Sequence, residues 1–196
     1  MEILRQRILN DGCYLGNGIL KVDSFMNHQI DPSLMRQFGE EFAKRFANCG
    51  ATRILTAETS GIAPALSTAM VMNLPVVFAR KHQPITMAAD PYRESAQSHT
   101  HGKNVELIVS SEYLLNTDRV IILDDFLATA RTINALVKLV NSSGAKLVGI
   151  GAVIEKVFEG GRKLLSELDV PIETLAAIES FEGDKIVFAE QSALRA

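Results

Sequence analysis

The sequence predicts an α/β fold, a parallel core sheet with helices packed on both faces. Three observations carry this expectation. Val120–Leu123 and Lys146–Ile154 are near-continuous apolar runs, as strands buried on two sides require. Segments of helical length and spacing separate such runs, which is the alternation of a parallel sheet. A chain of 196 residues also suffices for one domain with a substantial core.

Taken in order, residues 2–9 read as a short helix closed by Asp11-Gly12, and Ile19–Val22 as a short strand. Asp31 offers an N-cap, with Pro32 in the first helical position. Leu34, Met35, Phe38, Phe42 and Phe46 then recur on one helical face, a stripe for core packing. Arg53–Ala57 reads as a strand, Gly61–Asn73 as a helix and Pro75–Ala79 as a strand. Residues 81–104 show little periodicity over about 24 residues, far beyond an ordinary connection, and are expected to form a lid or binding loop. Val105–Val109 and Val120–Leu123 follow as strands, then a helix over Thr132–Ser143 ending at Gly144. Lys146–Ile154 is another buried strand, Gly160–Leu168 reads as helical, and Leu175–Glu179 and Lys185–Ala189 read as late strands.

Composition excludes several classes. A net charge of −3 gives no global attraction to nucleic acid or an anionic membrane, although a phosphate site needs only local N–H groups and a few cations. Cys13 and Cys49 have no metal-site spacing and read as free thiols in a reducing compartment. No apolar run reaches the roughly 18 residues of a membrane span, and the N-terminus lacks the apolar core of a leader. A cytoplasmic protein with no nucleic-acid or membrane partner is expected. His99-Thr100-His101 has no evident third metal ligand.

In open parallel sheets, ligands bind beyond the carboxyl ends of the strands. The end of Val120–Leu123 is the sharpest signal there. Asp124 and Asp125 are followed by small and hydroxyl residues before a helix. A helix start with free N–H groups suits a phosphate, Thr129 and Thr132 add hydroxyls, and carboxylates accept from the two hydroxyls of a ribose. An acid pair alone also fits a cap and a solvated turn. No GxxxxGK[ST] or GxGxxG motif is present. After Arg53–Ala57 come Thr59, Ser60 and Gly61, a polar turn opening a helix, and after Pro75–Ala79 come Arg80 and Lys81.

The run Asp124-Asp125-Phe126-Leu127-Ala128-Thr129-Ala130-Arg131-Thr132 resembles the phosphoribosyl-pyrophosphate (PRPP) motif of type I phosphoribosyltransferases. Its closest form is the D-D-L-L-A-T-G-G-T of adenine phosphoribosyltransferase-like enzymes, with Ala130 and Arg131 in place of the two glycines. If those positions need positive φ, the replacements cost stability. If both are already helical, alanine is harmless and Arg131 adds charge for the phosphate; this second case is the expectation. Further blocks, Lys21–Pro32, Glu58–Ala65, Phe78–His82 and Ile154–Lys156, are similar to the bacterial xanthine phosphoribosyltransferase family over almost the whole chain.

That resemblance implies a type I phosphoribosyltransferase fold over residues 1–196, with a five-stranded parallel core. A small hood from about 1–30 and 156–196 and a flexible lid over about 81–104 belong to the same picture. It implies that Asp124 and Asp125 hold the ribose and that Ala128, Thr129, Ala130, Arg131 and Thr132 bind its phosphate. Thr59, Ser60 and Gly61 would form the pyrophosphate loop, with Arg80 and Lys81 as cations for the same group. It places the base near Leu20, Asn27 and Lys156, with Phe126 packing on the purine or sealing the core. A lysine beside the base favours xanthine, which loses a proton readily, although a surface lysine paired with Glu155 is the plainer reading of Lys156. The implied reaction gives XMP and pyrophosphate in purine salvage, with magnesium held mainly by PRPP and water, in a homodimer. Guanine, hypoxanthine or adenine as the base remains open. A non-catalytic purine- or PRPP-sensing regulator of the same fold is the rival in class, but the chain has no spare length or basic helix for a DNA-binding domain.

Overall fold

The computed structural model describes residues 1–97, 104–183 and 185–190. Helix α1 (Glu2–Asp11) buries Leu4 and Ile8. The two-residue strands β1 (Cys13–Tyr14) and β2 (Leu20–Lys21) pair antiparallel across a turn in which Gly16, Asn17 and Gly18 all have positive φ. A π-turn over Asp23–Asn27 then buries Phe25 and Met26. Helix α2 (Pro32–Arg45) begins as its sequence predicts, the Asp31 carboxylate accepting from the N–H groups of Ser33 and Leu34. Such a cap stabilises by about 1 kcal/mol.

The remaining elements are β3 (Arg53–Ala57), α3 (Ile62–Met72), β4 (Val76–Ala79), β5 (Tyr92–Gln97), β6 (Asn104–Val109), β7 (Arg119–Leu127), α4 (Arg131–Ser143), β8 (Lys146–Lys156), α5 (Gly161–Leu165), β9 (Ile172–Glu182) and β10 (Lys185–Phe188). The main sheet has the order β10-β9-β8-β7-β3-β4. Its five strands from β9 to β4 pair in parallel. The sixth, β10, is an antiparallel edge that returns on β9.

Period-two alternation on the central strand divides the core. Ile121 and Leu123 pack with Leu4, Phe38, Phe42 and Ala65 on one face. Val120 and Ile122 pack with Ile133, Leu136 and Val140 of α4 on the other. The Phe stripe of α2 is core, as its spacing predicts: Phe38, Phe42 and Phe46 are essentially fully buried. A Cβ on Gly39 would lie 2.4 Å from the Ser67 carbonyl oxygen, so glycine is what allows α2 to approach α3 this closely.

Two expectations change. The stretch 81–104 contains a strand: β5 pairs antiparallel with β6, from Tyr92 opposite Val109 to Gln97 opposite Asn104. Its sequence, YRESAQ, is too polar to signal a strand alone, and backbone pairing supplies the order. Residues 98–103, with His99-Thr100-His101, lie outside the described residues. The apolar run Val120–Leu123 also underestimates β7, which continues through the acid pair to Leu127.

The first residues pack against β9 and the residue after β10. The Met1 ammonium donates to the Leu175 carbonyl, and Arg5 donates to the Ala189 carbonyl at 2.8 Å. Tyr14 stacks on Phe181 with ring centroids 4.1 Å apart. Among the described residues, no helix is long and apolar enough to cross a membrane.

Candidate active site

Four fully buried apolar residues, Val120–Leu123, fix β7 between β3 and β8 and deliver the acid pair to the carboxyl edge of the sheet. A cavity of about 520 Å³ opens there. Asp124 is only 6% exposed. Burial holds its carboxyl well above the usual range, the neighbouring Asp125 charge pushes the same way, and Lys81 opposes. The Asp125 N–H donates to Asp124 Oδ1 at 2.9 Å, and the Phe126 N–H donates to Asp125 Oδ1 at 3.0 Å. Each carboxylate is thus oriented by the next backbone amide.

Beyond β7 the chain turns through Ala128, Thr129 and Ala130 into α4, and these residues line the cavity with Arg131 and Thr132. No side chain caps the start of α4. Its first N–H groups therefore keep their affinity for an anion. The Thr129 hydroxyl is buried without a partner, a donor held in place for something absent from the chain itself. The expectation that both glycine replacements are helical is half corrected. Arg131 opens α4, but Ala130 is left-handed at φ +61°. The turn needs that conformation to bring the chain from strand to helix, and the sequence meets it with a strained alanine.

The other end of the cavity is apolar and cationic. Leu20 lines it from β2, with Phe126 and Lys156 facing from β7 and β8. Lys156 Nζ stands 5.3 Å from the centroid of the Phe126 ring and 3.6 Å from Glu159 Oε1. Its side chain is 14% exposed, so it is not a surface lysine. Glu155 is not its partner; that carboxylate pairs with Arg162.

The other expected residues are placed less directly. Ser60 lines the cavity, whereas Thr59 and Gly61 do not. Gly61 nevertheless shapes the floor: a Cβ there would lie 2.2 Å from Thr56 Oγ1 and 2.8 Å from Asp124 Oδ1. The Lys81 side chain is exposed, and its backbone N–H donates to Glu58 Oε1 at 2.6 Å. Arg80 lines a second cavity of about 410 Å³ with Phe78 and Arg53. Asn27, at the exposed end of the π-turn, is outside the first cavity's lining. Sequence reasoning missed Asn17, Ile19 and Ile133, which line it. The Gly16-Asn17-Gly18 turn was a readable signal for the first two; nothing local marked Ile133.

The profile of the phosphoribosyl transferase domain matches residues 40–159. The xanthine phosphoribosyltransferase of Lacticaseibacillus casei is 46% identical over 191 residues, covering 97% of this chain and 100% of that one. That of Pseudomonas entomophila is 44% identical over 190 residues, again 97% and 100%. Among solved structures, adenine phosphoribosyltransferase from Thermoanaerobacter pseudethanolicus superposes with a TM-score of 0.65 at 28% identity, covering 75% of this chain and 82% of that one.

Proposed function

The chain belongs to the phosphoribosyl transferase domain family, and on that premise we propose that it joins xanthine to PRPP, giving XMP and pyrophosphate in purine salvage. The observation that carries this reading is one cavity with two chemically different ends. An uncapped helix start and a partnerless hydroxyl lie at one end, and a lysine above an aromatic ring at the other.

In the reaction the C1′–oxygen bond to pyrophosphate breaks and a bond from the purine nitrogen to C1′ forms. Positive charge develops on the ribose, which Asp124 and Asp125 hold and stabilise electrostatically. The 5′-phosphate rests on the N–H groups from Ala128 to Thr132 and on the Thr129 and Thr132 hydroxyls. Xanthine enters as its anion beside Lys156, between Leu20 and Phe126, so no general base is required. The family resemblance assigns Asn27 to the base, and Thr59, Ser60, Gly61, Arg80 and Lys81 to the pyrophosphate. Magnesium would be held mainly by PRPP oxygens and water, beside the hard carboxylate oxygens of Asp124 and Asp125. When bound, the metal neutralises charge on the leaving pyrophosphate.

In this reading the described residues within 1–30 and 156–190 make the hood over the base, and residues 81–97, with β5, belong to the lid that excludes water. A homodimer fits the edge of the sheet, where α3 and β4 leave Leu66, Met70, Val71 and Phe78 exposed. The protein works in the cytoplasm.

One assay tests the substrate. The protein is incubated with PRPP, magnesium and xanthine, guanine, hypoxanthine or adenine in turn, and nucleotide formation is followed. Fastest turnover is expected with xanthine. Preference for guanine would overturn the role given to Lys156, and no product with any base would favour a non-catalytic regulator.

A further inference from the structure

Shortly after Lys156 the chain returns to the loop at the start of α4. The Gly161 N–H donates to the Ala128 carbonyl at 3.0 Å. A Cβ on Gly161 would lie 2.1 Å from that oxygen and 2.8 Å from the Ala130 nitrogen, so the two backbones are in direct contact. No other residue type fits there without moving the loop.

The next residue anchors this contact. Arg162 presents a fork to Glu155, at 2.8 Å to Oε1 and 2.7 Å to Oε2, and donates to the Ile172 carbonyl at 2.9 Å. Glu155 is 1% exposed and also accepts from the Thr174 hydroxyl at 2.9 Å. A bidentate, largely enclosed pair of this kind has one geometry, unlike a flexible surface pair. Start of α5, end of β8 and start of β9 are therefore one rigid unit. Glu155 immediately precedes Lys156, so the same anchor fixes the strand end that carries the base-side cation.

We propose that Gly161 and Arg162 are positioning residues, a brace that holds the Ala128–Ala130 loop in its binding shape and ties it to the base end of the cavity. The left-handed Ala130 needs such a support. An alanine in that conformation is strained by about 1 kcal/mol and persists only where its surroundings over-determine it. The brace acts through the loop, so the inference rests on the reading that this loop binds the phosphate of PRPP.

Steady-state kinetics for both substrates, with thermal unfolding, separate the brace from a structural salt bridge. G161A is expected to raise the KM for PRPP about tenfold, within the roughly hundredfold that a 1 Å misplacement of a positioning group can cost. The KM for xanthine should stay within about twofold. R162K, which keeps the charge and loses the fork, should show a smaller rise in the same direction, and it decides the matter if G161A does not fold. T129A is the control for the loop itself. A raised PRPP KM in T129A with none in G161A or R162K overturns the brace and leaves the phosphate reading standing. An unchanged PRPP KM in all three overturns the phosphate reading. A lowered unfolding midpoint with both KM values unmoved would make the contact structural only.

Discussion

At the end of β7 two adjacent charges line one cavity, whereas at the end of β4 two adjacent charges part. Asp124 and Asp125 line one cavity, each fixed by a backbone amide. Arg80 faces a different cavity, and the Lys81 side chain is exposed. Position in the sheet explains the contrast. β7 has a strand on either side, so what leaves its end is walled by β3, β8 and α4. β4 is an edge of the main sheet; Arg80, which leaves its end, pairs with Ile108 of β6 and lines its own cavity, and the chain reaches solvent only at Lys81. A central strand end makes a site from its own contiguous residues, while an edge strand end sends its two charges into different surroundings.

The largest expected effect lies at the enclosed pair. Asp124→Asn should lower turnover by about 10²–10³, the usual loss for a group aimed at transition-state charge. It should also stabilise the fold at neutral pH. Burial first, and Asp125 next, raise the native carboxyl above its ordinary value. The folded chain then binds more protons than the unfolded one, and stability falls as pH rises from about 4 through the native value. Asparagine has no such dependence. Denaturant titrations should find the variant more stable than wild type at neutral pH and the difference vanishing near pH 4. A variant less stable at neutral pH would mean that the carboxylate is supported by its site and not penalised by it.

A smaller effect is expected at the edge pair. Lys81→Gln should raise the KM for PRPP by about tenfold at low salt and by less at high salt, because an exposed charge is screened. Turnover at saturating PRPP should change little. A loss as large as that of Asp124→Asn, insensitive to salt, would show that Lys81 belongs to an enclosed site after all.

The same contrast explains what was legible in the sequence. The β7 strand, its acid pair and the hydroxyls after it are contiguous, and buried parallel strands advertise themselves as apolar runs, so the sheet and the strand end that opens on the cavity were both readable. Strand β5 was not, because its order comes from pairing with β6 and its polar residues carry no signal of their own. The Gly16-Asn17-Gly18 turn was readable as a turn, but that it brings Asn17 and Ile19 to the cavity is a long-range fact. The Arg162–Glu155 fork belongs to the same class: either residue alone reads as a surface charge, and only strand pairing buries the carboxylate. Ala130 failed for the opposite reason. Alanine is the best helix former, and propensity concealed a left-handed turn that the loop's geometry imposes.

Ala130→Gly is the smallest effect and the most local test of the enclosed end. Glycine removes the strain of about 1 kcal/mol that alanine bears at φ +61°, and it loses about 0.5–1 kcal/mol more backbone entropy on folding. The two nearly cancel, so the unfolding midpoint should rise by no more than about 2 °C. The KM for PRPP should rise about twofold, since a glycine loop is less firmly set before the phosphate arrives. That combination, a slightly more stable protein that binds PRPP slightly less well, is what stored strain in a pre-shaped site produces. A fall in the midpoint with unchanged KM would mean that alanine is comfortable there and the loop holds its own shape without Gly161. A contiguous strand end would then be self-sufficient even in its left-handed residue, and the contrast with the edge would be sharper than the brace allows.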